Sequence, residues 1–208
     1  MRAGLPLVPL PVVFGISFGV LAEAAGMGRF APVVMSATTF AGSAQFAAAA
    51  VLDAAGGVLA AFGAAALLNA RYAPMSLTVA PSMGGPLGTR LFQSQLIVDE
   101  SWALAQEGGG RVNRRVLVGA GVVFYVAWVA GTAIGTLGAG FLGNPETFGL
   151  DAAFPALFLA LLVRQLGSRR AVTAALLGAA IALALVPVSS PGVPIIAAAA
   201  ACLIGARR

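Results

Sequence analysis

The sequence predicts an all-α polytopic membrane protein of about seven transmembrane helices. Hydrophobic residues fill 60% of the 208 positions and charged residues only 9%, where a soluble domain carries about 25% charge. Mean hydropathy is +0.96. The apolar residues run continuously for lengths near the ~20 residues that a spanning helix needs, rather than alternating as barrel strands do.

Taken in order, the apolar runs are 5–27, 30–52, 55–80, 114–140, 152–167, 170–188 and 193–206. They form one membrane domain over 1–208: a three-span unit (1–80), a cytoplasmic connecting segment (81–113), a second three-span unit (114–190) and a C-terminal span (191–208). The first run opens directly on Leu5-Pro6 and reads as a span, not a cleaved signal. Net charge is +5 and every basic residue is Arg. In this composition the arginines set orientation and do not make a nucleic-acid surface. With the N-terminus outside, ten arginines (29, 90, 111, 114, 115, 164, 169, 170, 207 and 208) fall inside and only Arg2 outside. That favours N-out, C-in, in the inner membrane. Were the second run only re-entrant, the count would be six and the N-terminus would lie inside.

A repeat is also expected. Gly42 and Pro155 are 113 residues apart, as are Pro74-Met75-Ser76 and Pro187-Val188-Ser189. Three spans per unit make it an inverted repeat, with interrupted helices at the second and fifth spans.

Several chemistries drop out. The chain has no His and a single Cys, Cys202, so His/Cys metal sites, Ser-His catalysis and internal disulfides are excluded. No phosphate-binding loop and no Gly-x-Gly-Asp motif occurs. Neither an enzyme nor a bound cofactor is expected. Gly15-x-x-x-Gly19 and Gly131-x-x-x-Gly135 read as small-residue faces for close helix packing. Trp102, Tyr125 and Trp128 read as packing or interfacial residues.

Two segments cost something in lipid. Phe40-Ala41-Gly42-Ser43-Ala44-Gln45-Phe46 puts a Gly-Ser pair and an amide inside the second run. Gln45 can simply bond to another helix. Alternatively the helix breaks here, and its freed amides face a ligand carboxylate; the counterpart is Phe154-Pro155-Ala156-Leu157-Phe158. The other segment is Asn69-Ala70-Arg71-Tyr72-Ala73-Pro74. Arg71 either snorkels to the cytoplasmic interface or forms a binding or gating feature with a carboxylate partner. Asp99 and Glu100 are the first candidates, and Glu23 is the second. Pro74 removes the usual donor to the Ala70 carbonyl.

These segments, together with Asp99-Glu100-Ser101-Trp102-Ala103, resemble the AzlC family in order and spacing over nearly the whole chain. Its members are large subunits of branched-chain amino acid permeases or exporters. The resemblance implies a secondary transporter of hydrophobic amino acids, moving them outward, with a small AzlD-type membrane subunit as partner. Lipid and a coupling proton complete the expected partners. Tyr72 stands where the family commonly has His, so a coupling proton here would need another group. Substrate contacts are expected from Gly42, Ser43, Gln45, Phe46, Asn69, Phe154 and Pro155. Gating or coupling is expected from Arg71, Tyr72, Asp99, Glu100 and Glu23. The alternative is a non-transporting scaffold or channel subunit.

Overall fold

A computed structural model describes residues 9–108, 111–142, 159, 162–163, 166–189 and 193–201. It is predominantly helical, with α1 (Pro9–Ala24), α2 (Phe30–Thr39), α3 (Gly42–Asp53), α4 (Val58–Asn69), α5 (Tyr72–Val79), α6 (Leu87–Gln95) and α7 (Asp99–Leu104). A short antiparallel ribbon, β1 (Gln106–Gly108) and β2 (Arg111–Val112), leads into α8 (Arg114–Leu142). Further on come α9 (Arg169–Leu185) and α10 (Val193–Ala198). Two stretches among the described residues are long and apolar enough to cross a membrane. They are Val58–Ser82, which joins α4, α5 and a 3₁₀ turn, and Arg114–Ala139 within α8. Phe154 and Pro155, with most of the expected fifth span, lie outside the described residues.

The α1–α8 contact is the centre of the fold. A Cβ on Gly15 would lie 2.6 Å from the Trp128 carbonyl oxygen, and one on Gly131 would lie 2.5 Å from that of Val12. Gly19 meets the Thr132 carbonyl and Gly135 meets that of Ile16 in the same way. Only a residue without a side chain allows backbones this close. Gly15 faces Gly131 and Gly19 faces Gly135, so both helices advance in the same direction. The seven-span threading with N outside sets its first and fourth spans antiparallel, and so does the inverted repeat. The parallel register does not fit either expectation.

The reason lies in the second apolar run, which does not form one span. Phe40 adopts a left-handed conformation (φ 42°, ψ 55°), and the chain turns back between α2 and α3. Gln45 Nε2 donates to Ser36 Oγ at 2.8 Å, although a straight helix would hold residues nine apart about 13 Å from each other. Ser36 sits against Thr132 and Phe40 against Tyr125, so α2 descends along α8. Phe46 then packs on Phe18, and Ala49 joins the same cluster as Ala22, so α3 climbs beside α1. The two short helices thus form a hairpin.

A four-residue connection turns α3 into α4, and Ala47, Ala48 and Val51 pack with Ala61 and Ala64. Both helices have 12 residues, so Gly42 at the start of α3 lies level with Asn69 at the end of α4. Val79 and Leu117 share a cluster, so α5 ends near the start of α8. The Ala70 carbonyl, deprived of its usual donor by Pro74, accepts from the Ala73 N–H at 3.1 Å. That tighter turn keeps α5 in line with α4.

The 81–113 segment is more than a connector. Leu96, Ile97 and Val98 are buried between α6 and α7. The Leu96 carbonyl oxygen lies 2.6 Å from where a Cβ on Gly121 would stand, and Val98 joins the cluster around Phe40 and Phe124. Thus α6 and α7 form a second hairpin that rises to meet the first. Gln95 Nε2 donates to the Thr38 carbonyl at 2.8 Å where the tips touch. On α6, Gln93 is buried while Leu87, Leu91 and Phe92 face outward.

Gly19→Leu should separate α1 from α8, because its side chain would meet backbone that cannot withdraw. Overpacking of this kind costs about 1–3 kcal/mol or more, read as a lowered unfolding temperature in detergent. Gly138→Ala, with nothing within 4 Å of its Cβ position, should leave that temperature unchanged or slightly raised.

Candidate functional site

The tips of the two hairpins bring together both polar segments of the sequence. At the first tip the helix break exposes backbone groups, and named side chains take several of them. Tyr125 Oη donates to the Ala37 carbonyl at 2.8 Å, and Gln95 occupies that of Thr38. The Ala41 N–H donates to Gln45 Oε1 at 3.1 Å.

Gln45 is fully buried and belongs to a closed network. Its Oε1 also accepts from Trp128 Nε1 at 3.1 Å, and the same indole N–H lies 3.1 Å from Ser36 Oγ. Thr132 Oγ1 donates to the Trp128 carbonyl at 2.9 Å. That leaves Ser36 to donate to Thr132 over their 2.8 Å contact. The amide that was expected to face substrate is therefore engaged in locking α2, α3 and α8. Phe46 likewise packs edge-on against Phe18 and Trp128. Over Gly42, Trp128 Cη2 lies 2.9 Å from a Cβ position, so a side chain there would push the indole aside.

Ser43 is placed differently. It is only 3% exposed, and its Oγ has no hydrogen-bond partner among the described residues. No side chain caps the N-terminus of α3, so the amides of Gly42, Ser43 and Ala44 point along the helix axis without intrahelical acceptors. Level with them, Asn69 Oδ1 and Arg71 Nε are also buried and without partners.

Arg71 Nη2 forms an ion pair with Asp99 Oδ2 at 2.8 Å, with side chains 31% and 36% exposed. The guanidinium also leans over the Tyr72 ring, 5.2 Å from its centroid, and Nη2 donates to Tyr72 Oη at 3.4 Å. Arg71 lies eight residues before Val79, about 12 Å up the helix. Since Val79 packs at the level of Leu117, the pair sits well along α8 and not at its end. Asp99 reaches this height because it opens α7 at the top of the second hairpin. Trp102 Nε1, one turn on, donates to Thr78 Oγ1 at 2.9 Å and ties α7 to α5. Glu100 follows Asp99 on the same short helix. Glu23 stands apart near the end of α1, where Arg29 Nε approaches its Oε1 at 3.4 Å; its Oε2 is buried without a partner. No cluster of three or more metal-ligating side chains occurs among the described residues.

Sequence reasoning did not find Ser36, Gln95 or Thr132. A lone Ser or Thr in an apolar helix carries no signal until its partner is known. Gln45→Leu should destabilise the protein by about 1–3 kcal/mol, since it strands the buried Ala41 N–H and leaves Ser36 and Trp128 only each other and Thr132. The measurement is thermal unfolding in detergent followed by Trp emission.

The chain matches the AzlC protein family over residues 6–142. It is 32% identical over 198 residues to an uncharacterised membrane protein of Archaeoglobus fulgidus, covering 94% of this chain and 87% of the relative. It is 27% identical over 168 residues to the branched-chain amino acid transport protein AzlC of Bacillus subtilis, covering 77% of this chain and 64% of that protein. No solved structure matches it. The family match takes in both hairpins and the α1–α8 contact, and the chain belongs to the AzlC family.

Proposed function

We propose that this protein is a secondary transporter of branched-chain or other hydrophobic amino acids. It exports them across the inner membrane by alternating access. The observation that carries this reading is the meeting of two opposed hairpins at a level where Ser43, Asn69 and Arg71 keep unpartnered polar atoms inside an apolar helical protein. Discontinuous helices with free N-terminal amides are a transporter device for holding anionic groups away from water. The name of the Bacillus subtilis relative supports the substrate class. In this reading Ser43 and the α3 amides receive the substrate carboxylate, with Gly42 and Asn69 beside them, and Arg71, Tyr72, Asp99 and Glu100 regulate access. Gln45 and Phe46 serve by holding the hairpin in place. Phe154 and Pro155 are proposed to line the site from the second half.

The N-terminus is proposed to be cytoplasmic. Parallel α1 and α8 start on the same side, which Arg111, Arg114 and Arg115 mark as the inner one. Moving Arg2 inside and Arg29 outside leaves ten arginines inside and one outside, the same bias as before. A small AzlD-type subunit is the proposed partner. Proton coupling is proposed to use a carboxylate, Glu23 or Asp99, because the chain has no His.

Inside-out vesicles holding this protein and its small partner should take up radiolabelled valine above empty vesicles, and no such flux would remove the reading. Ser43→Ala should cut that flux at least tenfold while leaving stability unchanged or raised, because it deletes a buried hydroxyl that has no partner among the described residues. A cysteine placed ahead of Leu5 should react with a membrane-impermeant maleimide only from the cytoplasmic side.

A further inference from the structure

Counted along α3, α4 and α5, four groups fall near the level of the hairpin tips, and their chemistry is complementary in two halves. Among the described residues, Ser43 Oγ–H and Arg71 Nε–H are donors without acceptors, the first amides of α3 have no side-chain cap, and Asn69 Oδ1 is an acceptor without a donor. Beside them stands the Arg71–Asp99 ion pair, whose own charges cancel. A ligand with one charge would leave one member of the pair without its counter-charge among apolar helices. A ligand carrying both charges would not. Its carboxylate matches the donor set and its ammonium matches Asn69 Oδ1 and the Asp99 carboxylate. Arg71⁺ and Asp99⁻ then each exchange one partner for another with no change in net charge.

We propose that Arg71 and Asp99 are the head-group site for a zwitterionic α-amino acid. The substrate divides their ion pair, its carboxylate binding Arg71 and Ser43 and its ammonium binding Asp99 and Asn69. This deepens the transporter reading and rests on it for the apolar side chain of the ligand. It replaces a purely gating role for the pair. Neutrality then provides selectivity, because the isosteric acid and the isosteric amine each lack half of the match.

The test uses the full-length protein in nanodiscs and three probes of similar shape: leucine, 4-methylpentanoate and 3-methylbutylamine. Binding is read by thermal stabilisation and by competition with radiolabelled leucine. Wild type should bind leucine at least 100-fold more tightly than either analogue. Asp99→Asn should lower the preference for leucine over 4-methylpentanoate at least tenfold, and Arg71→Gln should do the same for 3-methylbutylamine. If leucine binds but either analogue competes equally in wild type, or both variants keep the wild-type preference, the head-group site is wrong and the transporter reading stands. The wild-type comparison decides even where a variant does not fold. If leucine does not bind but a polar zwitterion such as serine does, with both analogues of leucine excluded, the head-group site stands and the hydrophobic substrate class falls. Binding of no amino acid at all overturns both.

Discussion

A peptide backbone that reverses direction among apolar helices must find all its hydrogen bonds within the protein, and the fold is organised around one such reversal. At Phe40 the carbonyls of Ala37 and Thr38 lose their helical donors, and the Ala41 N–H loses its acceptor. Tyr125, Gln95 and Gln45 supply the missing groups, each from a different helix. Because the three side chains must arrive together, the break fixes where α3, α6 and α8 stand. Gln45 then links to Ser36, Trp128 and Thr132, so the reversal and the glycine contact of α1 with α8 are braced by the same stretch of α8.

Two kinds of packing support this arrangement. Between α1 and α8 the contact is backbone on backbone, dense and without play. Around Arg71 it is polar, partly exposed and incompletely paired. Tightly interlocked small residues suit a fixed scaffold, whereas groups with alternative partners suit a place where something enters and leaves. The α3–α4 hairpin spans both, with its alanine-rich middle in the apolar core and its open end at Ser43 and Asn69.

Much of this was legible in the residues alone. Composition dictates a helical membrane protein, and the Gly-x-x-x-Gly pairs announce a close helix crossing, since little else needs small residues at that spacing. A charged Arg71 in an apolar run implies a carboxylate, and Asp99 fills the position. The reversal was legible in part: the Gly42-Ser43 pair marks an interruption in the second run and the helix does break at Phe40, but the folding of one half back on the other was not. Residues 30–52 have the length and polarity of one span, and nothing in a hydropathy pattern distinguishes a through-going helix from two halves folded together. The arginine count does not choose between them, because six crossings and seven distribute the charges equally well. Gln45 carried two readings for a related reason. An amide in an apolar run announces that it needs partners, but not whether they belong to the protein or to a ligand.

The orientation of α6 has a consequence for motion. This helix turns its polar Gln93 toward the protein and Leu87, Leu91 and Phe92 away from it, with Arg90 and Ser94 also exposed. If the second hairpin withdraws to open a path, its outer face would slide through acyl chains, not swing into solvent. The friction opposing that stroke would come from the bilayer. Chain order, sterol-like stiffeners and temperature would then act on the turnover of such a machine as directly as any residue at its centre.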